Sequence, residues 1–266
     1  MFENDDGFLT ESLGYVREAV RLKYADLYNL LRRVNRFAVH SQHLISIHPN
    51  NQQEEFVAKY FARTLTSTQA SILLLETGLP SQAQILLRAA METHFALAAI
   101  VKDSSVINKL IDGHRAEQKR VAKTYKHFQN SELKQSAVEV YESGRLQPFL
   151  ESTATPLSAF DLAQKAGLED LYRTAYMIFS WPTHGAIVDL ERHVVKGENG
   201  HLVEFRNEPE VENQEFSWFC AIELLLIALN ALAEVFSSVD KACLEQLFAD
   251  LNKLASTSSL KENDTP

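Results

Sequence analysis

The stretch Ser81–Asp103, SQAQILLRAAMETHFALAAIVKD, constrains the chain most, because beyond its first turn it is apolar on nearly every face. A helix of that kind is enclosed by other helices rather than laid along a surface. Charge interrupts it midway, at Arg88 and Glu92, which reads against a bilayer span. The two residues are four apart and share one face. Left unpaired in such surroundings, either charge would cost several kcal/mol, so they are expected to pair or to line a wet cleft. Both readings stand at this point: a structural ion pair that sets helix packing, or a carboxylate and a guanidinium in a functional site. His94 falls on another face and reads as a partly exposed histidine. Gly78-Leu79-Pro80 ends the preceding helix, and Ser81 is placed to cap the new one.

Nine glycines and seven prolines in 266 residues, with 45% hydrophobic content, favour helix over sheet. The expected fold is all-α: a bundle of long antiparallel helices forming a single domain over residues 1–254, with a disordered tail at 255–266. One long helix is predicted from Phe8 to Leu44, stopped by His48-Pro49-Asn50-Asn51, and a second from Gln52 to Thr77. The latter packs beside the central helix across a short loop, so that Arg63 or Glu76 could join the polar pair. A more polar, basic and exposed helix is expected from Asp103 to about Tyr141, then a loop over Ser143–Pro156 and short helices at Leu157–Ala166 and Leu168–Ser180. Val194-Val195 and Leu202-Val203-Phe205 flank Glu198-Asn199-Gly200, which predicts a small β-hairpin near 192–205. A very apolar helix follows from Glu212 to Ser237, and a last one from Asp240 to Leu254.

The net charge of −9 argues against coating nucleic acid by bulk electrostatics, but a local basic stripe is compatible with it. The first long helix has such a stripe. Val20, Leu27, Leu30, Leu31, Val34, Phe37 and Ala38 share one side, and Arg17, Arg21, Tyr28, Arg32, Arg36, His40 and His43 the other. A solvated face accounts for it; alternatively the face contacts phosphate, of RNA or of a nucleotide, through Arg32, Arg36, His40 and His43. Cys220 and Cys243 lack metal-like spacing and read as reduced packing residues. The acidic N-terminus carries no secretion signal, so the expected compartment is the cytoplasm, with no membrane association.

The second notable stretch is Leu171–Val195, LYRTAYMIFSWPTHGAIVDLERHVV. Arg173, Ser180 and His184, at spacings of seven and four, would share a face of a continuous helix. Pro182 is expected to kink that helix or start another, leaving His184 in a first turn with free N–H groups. Tyr172 and Tyr176 lie nearby. No Gly-rich phosphate loop, GxSxG or CxxC occurs. Ser180, His184 and Asp189 lack the strand-turn-helix setting of a hydrolase triad. His40, His43 and His48 lack a paired carboxylate, so neither metal nor cofactor is expected. Arg33 with His40, Arg36 with His43, Arg88 with His94, and Arg120 with His127 have the arginine-to-histidine spacing of helical nucleases, but none has a polar residue directly after the arginine.

The ETGLPSQAQILLRAAMETHFALA and LYRTAYMIFSWPTHGAIVDL segments together resemble a bacterial helical family catalogued as domain of unknown function 5677, over roughly residues 60–195. In that family an Arg and a Glu on one helix recur with a later Tyr, Ser and His, which correspond here to Arg88, Glu92, Tyr172, Ser180 and His184. The family is similar to the HEPN group of helical proteins, many of which are dimeric ribonucleases of toxin–antitoxin and phage-defence systems. The resemblance implies a cytoplasmic homodimer that cleaves RNA without a metal. His184 would be general acid or base, Arg88 or Arg173 would stabilise phosphate charge, and Glu92 would orient one of them. In those nucleases the Arg and His are close in sequence, whereas Arg88 and His184 are far apart. The alternative is a non-catalytic helical module that binds a partner protein or a small ligand, with Arg88 and Glu92 as a structural pair.

Overall fold

The computed structural model describes residues 7–9, 13–124, 155–206 and 208–262. A turn of 3-10 helix at Gly7–Leu9 precedes α1 (Gly14–Lys23) and α2 (Ala25–Leu44). The single helix expected from Phe8 to Leu44 is therefore broken, at Tyr24, whose backbone leaves the helical region (φ −106°, ψ 33°). The buried Tyr24 is tied to residues far along the chain. Its hydroxyl donates to Val211 O (3.1 Å) and accepts from Gln214 N (3.0 Å), and its ring stacks on Trp218 at 6.2 Å. Periodicity within the helix carries no trace of that tether.

α3 (Gln52–Glu76) begins where Asn51 accepts a hydrogen bond from Glu54 N, and the Glu54 carboxylate in turn accepts one from His48 N (2.6 Å). Its C-terminal turn needs Gly78 twice over. The residue sits at φ +76°, and a Cβ there would lie 2.6 Å from Pro209 Cβ, since Gly78 O accepts from Glu210 N at 2.9 Å. α4 (Pro80–Lys102) starts two residues earlier than a Ser81 cap implies, with Pro80 in its first position. Ser81 does not cap it; the hydroxyl donates instead to Asp189 Oδ1 (2.6 Å).

The central position of α4 follows from its composition. It packs against α3, α6 (Ala159–Ala166), α8 (Met177–Thr183) and α10 (Glu215–Val235). Leu87, Met91, Phe95, Leu97 and Ile100 are almost wholly enclosed. α10 is more apolar still: Glu223, Asn230 and Glu234, seven and four apart, mark its exposed strip, while Trp218, Ile222, Leu225 and Leu229 are buried. Both α4 and α10 are long and apolar enough to cross a bilayer, so the charge at Arg88 and Glu92 does not disqualify α4; 56% and 72% of their most apolar windows are buried inside the fold.

α5 (Val106–Thr124) realises the first part of the basic helix expected to Tyr141; the remainder, and most of the loop expected at Ser143–Pro156, lies outside the described residues. α6 carries a reciprocal Ser158–Asp161 capping box. α7 (Glu169–Leu171) leads through a turn of π-helix, Tyr172–Tyr176, into α8, and α9 (Ile187–Leu190) follows. β1 (Val194–Lys196) and β2 (Leu202–Phe205) form the expected antiparallel hairpin, with Val194 opposite Phe205 and a bulge between Val195 and Lys196. The architecture is thus all-α with a small appended hairpin. α11 (Lys241–Glu262) packs on α10 and α2 and runs past Leu254, where a disordered tail was expected. Ser256 and Thr257 turn their hydroxyls back onto carbonyls of the preceding turn, which makes these residues compatible with helix.

Candidate functional site

Arg88 and Glu92 do not stand alone. The Arg88 guanidinium donates from Nε to Ser180 Oγ (3.0 Å) and from Nη2 to Tyr176 Oη (2.8 Å), and Nη2 lies 3.1 Å from Glu92 Oε1. Tyr176 Oη donates to the same Glu92 oxygen (2.7 Å), and Ser180 Oγ donates to Tyr176 O (2.8 Å). Four side chains from two helical segments thus close one polar ring. Its inner members are enclosed: Tyr176 is 5% exposed, and Arg88 19% at its side chain, whereas Glu92 reaches 40%. No hydrogen bond among the described residues engages Arg88 Nη1, which leaves one guanidinium edge open.

The π-helical turn makes this possible. It inserts an extra residue between α7 and α8, so Tyr172 and Tyr176 stack at 4.7 Å, and Phe95 of α4 packs against both. The Arg88 guanidinium lies over the Tyr176 ring at 4.8 Å. Burial chiefly, and the hydrogen bond to Glu92 next, push the Tyr176 phenol well above its ordinary range, so it holds its proton and acts as a donor. Such turns interrupt helices frequently at functional positions.

His184 is exposed and makes no side-chain hydrogen bond to this ring. α8 runs through Pro182 to Thr183, and His184 closes its C-terminus rather than opening a new helix. Gly185 (φ +61°) and Ala186 donate N–H bonds to Pro182 O and Trp181 O, a Schellman stop, and His184 N bonds to Ser180 O at 3.2 Å. The free N–H groups expected beside His184 are therefore absent. A proline so near the helix end forfeits only one backbone bond, so α8 tolerates it. Arg173 is exposed on the π turn, its Cζ 5.8 Å from the Phe160 ring, and does not join Arg88, Glu92 and Ser180.

Two further expectations fail at the ring. Arg63 is exposed, and Glu76 is buried but takes a bidentate pair from Arg21 (3.2 and 2.8 Å). The tyrosine that completes the site is Tyr176, not Tyr172. Tyr176, Ser180 and His184 follow one another at intervals of four, a spacing visible in the chain that the match to Tyr172 overlooked. The buried Ser81–Asp189 bond, between residues 108 apart, extends the polar seam between α4 and the 172–190 segment, and neither residue was assigned to it.

His94 is fully buried, not partly exposed. Nδ1 has no partner, and desolvation pulls its pKa down to about 3, so the ring is neutral. A helical wheel places it on a different face from Arg88, but α4 is covered on that face too. Among the described residues, no group of three or more His, Cys, Asp and Glu side chains could hold a metal ion. Arg32, Arg36, His40 and His43 are all exposed on α2, and Arg33 pairs with Asp250 of α11 (2.7 Å). Residues 54–201, more than half of the chain, match the model of a family described as a family of unknown function (DUF5677). No curated protein and no solved structure matches it.

Proposed function

Since the chain belongs to the family of unknown function DUF5677, we propose its activity from its own residues: HEPN-like, metal-independent cleavage of RNA. The observation that carries this reading is the Arg88 guanidinium, held on three sides by Ser180, Tyr176 and Glu92 with Nη1 open. A cation fixed before its ligand arrives stabilises developing phosphate charge at little reorganisation cost. His184, one helical turn beyond Ser180 and exposed, supplies the acid–base group. It takes the proton of the RNA 2′-hydroxyl, whose oxygen then attacks the adjacent phosphorus. The bond to the 5′-oxygen breaks, that oxygen gains a proton, and a 2′,3′-cyclic phosphate remains. Glu92 and Tyr176 orient Arg88, and Arg173 lies outside this assignment.

The reading includes a cytoplasmic homodimer acting in a toxin or phage-defence setting. Support for a dimer comes from the large apolar side chains exposed close together in sequence: Trp181, Ile187, Val188, Val203 and Phe205. The second reading, a non-catalytic module that binds a partner protein or small ligand, is favoured by one feature. The Arg88 ring satisfies most of its own hydrogen-bonding capacity, as a structural ion pair would.

Total RNA and a matched DNA oligonucleotide, each incubated with chelator and with wild type, His184→Ala or Arg88→Lys, separate the two. Cleavage by the wild type only, with cyclic phosphate ends and DNA intact, is the expected result. Equal cutting of DNA would sink the mechanism, and intact RNA in every lane would favour the binding module.

A further inference from the structure

A second site lies away from the Arg88 ring, in a groove of about 410 Å³ between α2 and α3. Its charges do not balance. Arg21 is neutralised by Glu76, whereas Arg32 and Arg36, which also line the groove, have no carboxylate partner among the described residues. Arg32 donates instead to the Tyr28 hydroxyl (3.2 Å), and Tyr28 has guanidinium groups over its ring at 5.1 Å (Arg21) and 5.8 Å (Arg32). Two uncompensated guanidinium groups at one cavity, in a chain of net charge −9, favour a dianionic group, and the planar guanidinium matches phosphate geometry.

The remaining walls ask for more than phosphate. Leu73 is 60% exposed beside Ile72, which gives the groove an apolar side. Opposite polarity comes from an amide pair, in which Gln69 Nε2 donates to Asn35 Oδ1 (2.9 Å). That bond leaves an amide donor on Asn35 and an amide acceptor on Gln69. Exchanging O and N in both side chains still leaves one donor and one acceptor, so the conclusion does not depend on their assignment. An adjacent donor and acceptor of amide type match the edge of a nucleobase. The volume falls in the range of small-molecule sites, roughly 300–1,000 Å³.

We propose that the α2–α3 groove binds a nucleoside phosphate, with Arg32 and Arg36 on the phosphate, Asn35 and Gln69 on the base edge, and Leu73 against the base face. This site is independent of any RNA cleavage at Arg88, because its residues belong to a different helix pair. Calorimetric titration of the full chain carrying His184→Ala, with AMP, GMP, CMP, UMP, adenosine and inorganic phosphate, tests it without reference to cleavage. At least one nucleotide is expected to bind, with adenosine and phosphate both weaker by tenfold or more. Arg36→Gln is expected to weaken binding about tenfold, and Arg32→Gln with Arg36→Gln about a hundredfold. Arg36→Lys, which keeps the charge, should recover part of the loss. Since both arginines are exposed, unchanged thermal unfolding will show that these variants fold. Binding of none of the nucleotides, equal binding of phosphate alone, or full affinity in the double variant would each overturn the proposal.

Discussion

Tyr176→Phe isolates the energetic weight of the polar ring. The substitution deletes one oxygen and keeps the aromatic ring, which remains stacked on Tyr172 at 4.7 Å and packed on Phe95 at 5.8 Å. Two hydrogen bonds to charged groups are lost, the one accepted from Arg88 Nη2 and the one donated to Glu92 Oε1. In a dry site each would be worth about 1.5–3 kcal/mol. Glu92 is 40% exposed, so water replaces much of its lost bond, and Arg88 keeps direct contact with Glu92 at 3.1 Å and with Ser180. The net loss is therefore about 2 kcal/mol, roughly 30-fold in the folding equilibrium. Urea unfolding followed by circular dichroism, with a slope of about 3 kcal/mol per molar for a chain of this size, should show the midpoint falling by about 0.7 M. Tyr172→Phe is the control, because the Tyr172 hydroxyl makes no hydrogen bond among the described residues; it should move the midpoint by less than about 0.2 M. If Tyr176→Phe leaves the midpoint in place, or Tyr172→Phe lowers it as far, the ring does not hold the two segments together.

Two further outcomes follow from buried and exposed groups. His94 is neutral in the folded chain down to about pH 3, whereas an unfolded histidine takes a proton near pH 6.5, so the unfolded state binds more protons between these values. Stability should fall on acidification through that window, by about 1.4 kcal/mol per pH unit at most, and His94→Leu should flatten the slope between about pH 6 and 5; an unchanged slope would contradict the buried, unprotonated ring. Light scattering of the wild type should give a particle of twice 30.1 kDa, and Val203→Glu with Phe205→Glu, both on the exposed hairpin strand, should reduce it to a monomer without loss of helicity; a monomeric wild type would refute the dimer.

What the chain discloses before folding divides along a physical line. Features set by neighbours in sequence were readable: Asn199-Gly200 announces the hairpin, Gly78 ends α3 at a positive φ, and the apolar run around Leu87 and Phe95 marks the helix that others enclose. Features set by distant partners were not. Tyr24 breaks a periodic helix because its hydroxyl is held by Val211 and Gln214, and Ser81 leaves its capping role because its hydroxyl donates to Asp189 instead. His94 and Arg88 differ by six positions on the same helix, and only the packing around α4 decides that His94 is fully enclosed and Arg88 largely so.

The 172–184 segment contains both kinds of information. Its interval-of-four pattern, Tyr176-Ser180-His184, is local and legible, and His184-Gly185 is a helix stop that Pro182 obscured. The π turn is not legible, because one inserted residue alters the phase of a helix without altering its composition. That phase decides the site. It stacks Tyr172 on Tyr176, aims the Tyr176 hydroxyl at both Arg88 and Glu92, and leaves Arg173 facing solvent beside Phe160. Deleting one residue from the turn would restore a regular α-helix and rotate Tyr176 by about 100° from the ring. Arg88 Nη2 would then lose the Tyr176 hydroxyl and keep only Glu92 Oε1, which leaves a largely enclosed guanidinium short of partners.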